Sequence, residues 1–311
     1  MDEKKVVLKA ENLNKHFGKK HIIKDVSFDV FEGEIFGFLG PNGSGKTTTI
    51  KMIMGLLDID SGHVQIGGFD REKNFESALA QIGGIIENPD TYSYLSAYKN
   101  LEVYARLRGK VDRNRIAEVI KLVGLENRIN DKVKTYSLGM KQRLGLAQAI
   151  LHHPKVLVLD EPTNGLDPAG IKDLRDILKF LSHEEGIAVF VSSHILSEME
   201  LLCDRVCIIN AGTVLRTESM GQITDSGNNE SDYEFTIGDD IVALEKIQKI
   251  MPERYRSNIQ NKFILAVNVE DVPEIIKQLC NADLKIYGVV QSVKTLEQSF
   301  MEITGGGNAI V

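Results

Sequence analysis

No stretch of this chain is apolar for the roughly 18–20 residues that a helix needs to cross a bilayer. Its first residues, Met1 to Phe17, are polar and lack the apolar core of a secretory leader. Cysteine is scarce. The three present (Cys203, Cys207, Cys280) cannot all pair with one another, and none forms a Cys-x-x-Cys. They read as buried thiols of a reducing compartment rather than as metal or redox groups. Positive charge is also in short supply. With 37 Lys and Arg against 44 Asp and Glu the net charge is −7, which argues against a general nucleic-acid binder with a basic face. What remains, 42% hydrophobic and 26% charged residues, is the composition of an ordinary soluble globular protein, and 311 residues are comfortable for two domains. Any service to a membrane is expected from its cytoplasmic side, through a partner.

What is present begins with Gly40-Pro41-Asn42-Gly43-Ser44-Gly45-Lys46-Thr47-Thr48, a full phosphate-binding loop. It follows an apolar strand-like run, Ile35 to Leu39, and precedes a helix-like run from Lys46 to Leu56, which is the context the motif requires. Glycines let successive backbone N–H groups turn toward an anion, and the helix beginning at Lys46 adds its N-terminal partial charge. Lys46 would neutralise the outer phosphates of a nucleoside triphosphate, and the Thr47 hydroxyl would ligate magnesium.

Around the loop the first 80 residues read as strands and turns. Val26, Phe28 and Val30 alternate before a Glu32-Gly33 turn, and Val64-Gln65-Ile66 is a short strand. Residues from about 88 to 150 turn helical, with Ile116, Val119, Ile120 and Val123 on one stripe. Val156 to Leu159 and Ile187 to Val191 are apolar runs suited to a parallel sheet covered on both faces. A polar stretch at 224–232 reads as a linker, so residues 1–223 form the first expected domain. The second, 233–304, is expected to be a small α+β unit in the order β-α-β-α-β-α. Its strands are expected at Glu234 to Ile237, Phe263 to Val269 and Asp283 to Gln291. Its helices carry Leu244, Ile247 and Met251, then Val272, Ile275, Ile276 and Leu279, then Leu296, Phe300 and Ile303. Residues 305–311 are expected to be a flexible tail.

The chemistry has a second centre at Val156-Leu157-Val158-Leu159-Asp160-Glu161, an apolar strand delivering two carboxylates where open α/β sheets place their ligands. Asp160 would hold magnesium through its water shell, and Glu161 would polarise a water toward the γ-phosphate. Tyr136-Ser137-Leu138-Gly139-Met140 opens an Ala- and Leu-rich helix that Ser137 can cap, presenting N–H groups and a hydroxyl to an anion. Asn164-Gly165-Leu166-Asp167-Pro168 follows the carboxylates, and Ser192-Ser193-His194 follows the next strand.

In this order the motifs resemble those of ATP-binding-cassette (ABC) ATPases over roughly residues 5 to 222. The resemblance implies an α/β P-loop NTPase fold with a mixed sheet core and a helical subdomain, binding ATP and Mg2+. It further implies a dimer, either a homodimer or a pair with a similar ATPase subunit. Each ATP would then lie between one subunit's phosphate loop and the other's Ser137 and Gly139. Phe17 matches the place where the family stacks adenine, Asp167 would let the two halves sense each other, and His194 would act at the γ-phosphate. Two departures stand out. The usual Leu-Ser-Gly-Gly-Gln is here Tyr-Ser-Leu-Gly-Met, and Glu87 replaces the Gln that touches the metal and the attacking water. Both look like the subgroup that exports bacitracin- and lantibiotic-type peptides. The expected function is therefore an exporter's ATPase subunit, held at the cytoplasmic face of the membrane by a separate permease, with no direct nucleic-acid contact. A soluble ABC ATPase of translation or DNA repair would be tandem or carry a coiled-coil insertion, which this chain lacks. A P-loop kinase would leave Ser137 and His194 without roles.

Overall fold

The computed structural model describes residues 5–107, 109, 112–221, 231–238, 240–291 and 296. The chain divides into two compact units, the first reaching to Ser219 and the second beginning at Met220.

The first unit is built on two sheets. Long strands β1 (Val6–Phe17) and β2 (Lys20–Phe31) pair antiparallel and are joined by β4 (Ser61–Ile66) and β5 (Phe69–Asp70) in the order β2-β1-β4-β5. A six-stranded sheet runs β10-β9-β3-β8-β7-β6, comprising β3 (Ile35–Leu39), β6 (Ile82–Ile85), β7 (Val156–Asp160), β8 (Ala188–Ser193), β9 (Arg205–Asn210) and β10 (Thr213–Ser219). All its pairings are parallel except β9 with β10. Every residue of β3, β7 and β8 is buried, as unalternating apolar runs in a parallel sheet should be. The alternation in β2 turns Phe28 inward, where it meets Phe36, Phe38 and Phe190 at ring distances of 5.4–5.6 Å, and this aromatic cluster joins the two sheets. Because β3, β8 and β7 are parallel neighbours, the segments that follow them emerge on one edge. That edge carries the loop, His194 and the two carboxylates.

Helix α1 (Lys46–Ile53) stops short of the Leu56 expected from its apolar run. Gly55, at φ +70, closes it, with Leu56 N donating to Lys51 O, and the Met52 carbonyl accepts from both Gly55 N and the buried Arg71 guanidinium. The helical region contains α3 (Ala97–Leu107), α4 (Arg113–Leu122) and α5 (Leu138–Ile150), and the stripe Ile116, Val119, Ile120 and Val123 is buried. A short helix before it, α2 (Phe75–Leu79), was not foreseen. Helices α6 (Pro168–His183) and α7 (Leu196–Leu202) complete the unit.

The second unit corrects the expected element order. It runs β11 (Ser231–Ile237), α8 (Asp240–Ile250), β12 (Tyr255–Ile259), β13 (Lys262–Val267), α9 (Val272–Asn281), β14 (Ile286–Gln291), with sheet order β12-β13-β11-β14 and every pairing antiparallel. This β-α-β-β-α-β arrangement is the split βαβ, or ferredoxin-like, topology. The extra strand, β12, was missed because Tyr-Arg-Ser-Asn-Ile carries no apolar alternation. Ser231 and Asp232, read as linker, pair instead with Val267 and Ala266, since strand pairing needs backbone rather than apolar side chains. Leu296 is buried. The remainder of the expected last helix, the 305–311 tail and residues 224–230 of the expected linker lie outside the described residues.

Candidate active site

The phosphate loop links β3 to α1 through residues that only glycine can occupy. Gly45 caps α1 at φ +112, and a Cβ there would stand 2.6 Å from Ile23 Cδ1. A Cβ on Gly40 would stand 2.3 Å from the Ile209 carbonyl oxygen. Lys46 is 6% exposed. Its Nζ donates to Gly40 O at 2.7 Å and Pro41 O at 3.4 Å, and lies 3.4 Å from Glu161 Oε1. Lys46, Thr47 and Thr48 line a cleft of about 510 Å³ with Phe17, Asn42, Gly43, Gly45, Glu161, Asn164 and His194. Ser44 sits beneath, its buried hydroxyl without a hydrogen-bond partner among the described residues.

The carboxylates are held by the neighbouring strand. In the parallel register Asp160 lies beside Ser192, whose hydroxyl donates to Asp160 Oδ1 at 2.5 Å. The same hydroxyl accepts from Glu161 N at 3.1 Å. Glu161 takes φ +50, a left-handed conformation that costs a non-glycine residue about 1–3 kcal/mol and is tolerated where surrounding bonds over-determine it. The strand's last peptide thereby turns and aims Glu161 back across the cleft. Its Oε2 meets His194 Nδ1 at 2.7 Å. With Glu161 ionised, Nδ1 carries the proton of that bond.

Ser137, Gly139 and Asp167 lie elsewhere. With Gln142, Arg143, Gly165 and others they line a separate hollow of about 360 Å³. Ser137 Oγ caps α5, accepting from Met140 N at 3.3 Å, and Asp167 Oδ1 caps α6, accepting from Gly170 N at 2.9 Å. Glu87 joins neither group. At φ +64 just beyond β6, it turns its largely exposed carboxylate to Lys51 Nζ of α1, at 3.3 Å.

Comparison with known proteins decides the family. A family profile described as ABC transporter matches residues 23–164. Another, described as an AAA domain, putative AbiEii toxin of a type IV toxin–antitoxin system, matches 131–200. Across 301 residues, 97% of each chain, the sequence is 47% identical to an uncharacterized ABC transporter ATP-binding protein of Bacillus subtilis (strain 168), YhcH. The chain belongs to the ABC transporter ATP-binding family.

Other members of the ABC family resemble it to different extents. The bacitracin transport ATP-binding protein BcrA of Enterococcus faecalis is 36% identical over 97% of both chains. The lantibiotic transport ATP-binding protein SrtF of Streptococcus pyogenes is 42% identical over 67% of this chain and 89% of its own. A solved dimeric structure of the bacterial ABC transporter cassette MJ0796 superposes with a TM-score of 0.62 at 26% identity, over 68% of this chain and 98% of that one. This ABC subunit is thus an ATPase of α/β P-loop fold, ATP hydrolysis being the family's characteristic activity. Among the described residues no helix is long and apolar enough to cross a membrane.

The cleft fits a nucleoside triphosphate with its magnesium ion. Side chains on Gly40 and Gly45 would collide with Ile209 and Ile23, so the loop keeps bare backbone there to offer its N–H groups to an anion. No cluster of three or more His, Cys, Asp or Glu side chains suited to a metal occurs among the described residues. The Thr47 hydroxyl and the Asp160 carboxylate are hard oxygen donors of the kind that a magnesium ion takes beside phosphate and water. Sequence reasoning missed Ser192, whose position depends on strand register, and Asn164, whose place on the cleft wall depends on how the turn folds.

Proposed function

We propose that this protein is the ATP-hydrolysing subunit of an exporter, acting as a head-to-tail pair of like chains beneath a separately encoded transmembrane permease. The observation that carries the reading is the separation of two hollows within one chain. Lys46, Glu161 and His194 line one, Ser137, Gly139 and Asp167 line the other, and no described residue lines both. Each holds part of what a triphosphate needs, and the dimer described for the MJ0796 cassette offers a way to join them.

In the pair, Phe17 stacks the base, and the loop N–H groups with Lys46 take up the phosphates. Lys46 must leave Glu161 to do so, which frees Oε1. Glu161 then accepts a proton from the attacking water while His194 holds Oε2 in place. Thr47 and Asp160 are the groups that would hold a magnesium ion, which would supply neutralising charge to the phosphates, and Glu87 would join them only by leaving Lys51. Ser137 and Gly139 of the second copy close over the γ-phosphate, and Asp167 lies beside them to report that closure.

Residues 1–223 serve as the cassette, and 233–304 as an accessory module that supports the pair. Glu87 and the Ser137-Leu138-Gly139-Met140 segment support a bacitracin- or lantibiotic-type peptide as cargo, as does likeness to BcrA along nearly the whole chain. The subunit would work at the cytoplasmic face of the membrane, through its permease. The test is mass by light scattering. Glu161→Gln with ATP should form a stable dimer, and adding Ser137→Arg should return it to a monomer that still binds ATP. An ATP-saturated Glu161→Gln protein that stays monomeric overturns the paired reading.

A further inference from the structure

Phe17 ends β1, where the chain turns at Gly18 into β2, and half its surface is exposed. The residues just before it are gripped by a carboxylate from a distant part of the chain. Asp60 lies between α1 and β4. Its Oδ2 accepts from His16 N at 2.6 Å and lies 3.2 Å from His16 Nδ1, and its Oδ1 accepts from Lys15 Nζ at 2.8 Å. Asp60 N donates to Asn14 O at 3.1 Å, completing the hold on this strand end. The Lys15 ammonium, nearly buried, stands 5.9 Å from the centre of the Phe17 ring. The His16 ring stacks on His21 of β2 at 3.9 Å, and His21 Nε2 lies 2.9 Å from Asn14 Oδ1. The bond from Lys15, then that from His16 N, pull the Asp60 carboxyl down to about 2, so the grip stays ionised under ordinary conditions.

We propose that Asp60 is a positioning residue for the nucleotide base. By holding Lys15 and His16 it sets the strand end that presents Phe17, and it ties that aromatic platform to the segment leaving the phosphate-loop helix. The proposal rests on the reading of Phe17 as the base platform. An exposed ring on a loose hairpin spends part of its stacking on being ordered, and a ring already in place does not. Asp60 should therefore matter to ligands that carry a base and be indifferent to those that do not.

The experiment measures equilibrium binding of ATP and of inorganic tripolyphosphate to the full chain and to Phe17→Ala, Asp60→Ala, Asp60→Asn and the double variant Phe17→Ala/Asp60→Ala. A base stack is worth about 5-fold to 150-fold in affinity, and Asp60→Ala should lose an amount near the lower end. Asp60→Asn keeps an oxygen for His16 N and should lose less. Tripolyphosphate should bind all four variants as it binds the wild type. The double variant should bind ATP no more weakly than Phe17→Ala, since both act through one contact. In turnover, KM for ATP should rise by a larger factor than kcat falls. Asp60 variants that bind ATP normally while Phe17→Ala does not would overturn the proposal, as would equal weakening toward both ligands. If Phe17→Ala binds ATP as the wild type does, the platform reading falls and the proposal falls with it.

Discussion

The cleft around Lys46 and the hollow around Ser137 are made in opposite ways. In the cleft the charged groups are locked onto one another. Lys46 faces Glu161, Glu161 faces His194, and Ser192 binds both Asp160 and the Glu161 backbone. In the hollow the functional side chains are spent on helix ends, Ser137 capping α5 and Asp167 capping α6. The first is a set of charges paired with one another, which an incoming triphosphate must part. The second is a pair of capped helix N-termini, each with its partial positive charge. A site built from both gets its charge chemistry from one surface and its anion-binding dipoles from the other.

The largest break in this comparison is Glu161→Gln, which removes the proton acceptor and leaves the cradle whole. Steady-state turnover should fall about 10²–10⁴-fold while ATP affinity is kept, and turnover near the wild-type value would remove Glu161 from its role. Next comes Ser192→Ala. It leaves the buried Asp160 Oδ1 short of a donor, while Glu161 N keeps its bond to the Ser192 carbonyl, and should cost about 1–3 kcal/mol in chemical denaturation and lower turnover as well. The same substitution at Ser193, with no bond to either carboxylate, provides the contrast. Glu87→Gln sharpens the boundary of the cleft. Its carboxylate is exposed and paired with Lys51, so ATP affinity should barely change while the proposed export declines in cells. Unchanged export would make Glu87 a neutral replacement.

The smallest effect is at low pH. Asp60 has a folded-state pKa depressed to about 2, so its contribution to stability is full above the ordinary carboxylate range and is lost as pH falls through that value. Acid unfolding followed by circular dichroism should place part of the wild-type loss in this window, and Asp60→Asn should lack that part.

What was legible in the sequence was what is local in the chain. The phosphate loop, the carboxylate pair at the end of β7 and the capped start of α5 each lie within about a dozen consecutive residues, and strand-loop-helix context is written into them. The apolar runs of β3, β7 and β8 announced a covered parallel sheet for the same reason. What depends on register was invisible. Ser192 matters because it lies beside Asp160 across a strand pair, and Asp60 because it folds back onto His16, 44 residues earlier. Polar strands hid as well: β12 and the start of β11 are held by main-chain pairing that leaves no apolar signature. Glu87 was expected beside the metal, yet in this structure Lys51 holds it.

One turn has a broader consequence. Asn164 lines the cleft, and the next residue, Gly165, lines the hollow. At this turn the two surfaces are one peptide bond apart. If a second chain faces this one, the news that one compartment has filled needs no long relay through the molecule. A drug or mutation aimed at this turn would strike both at once.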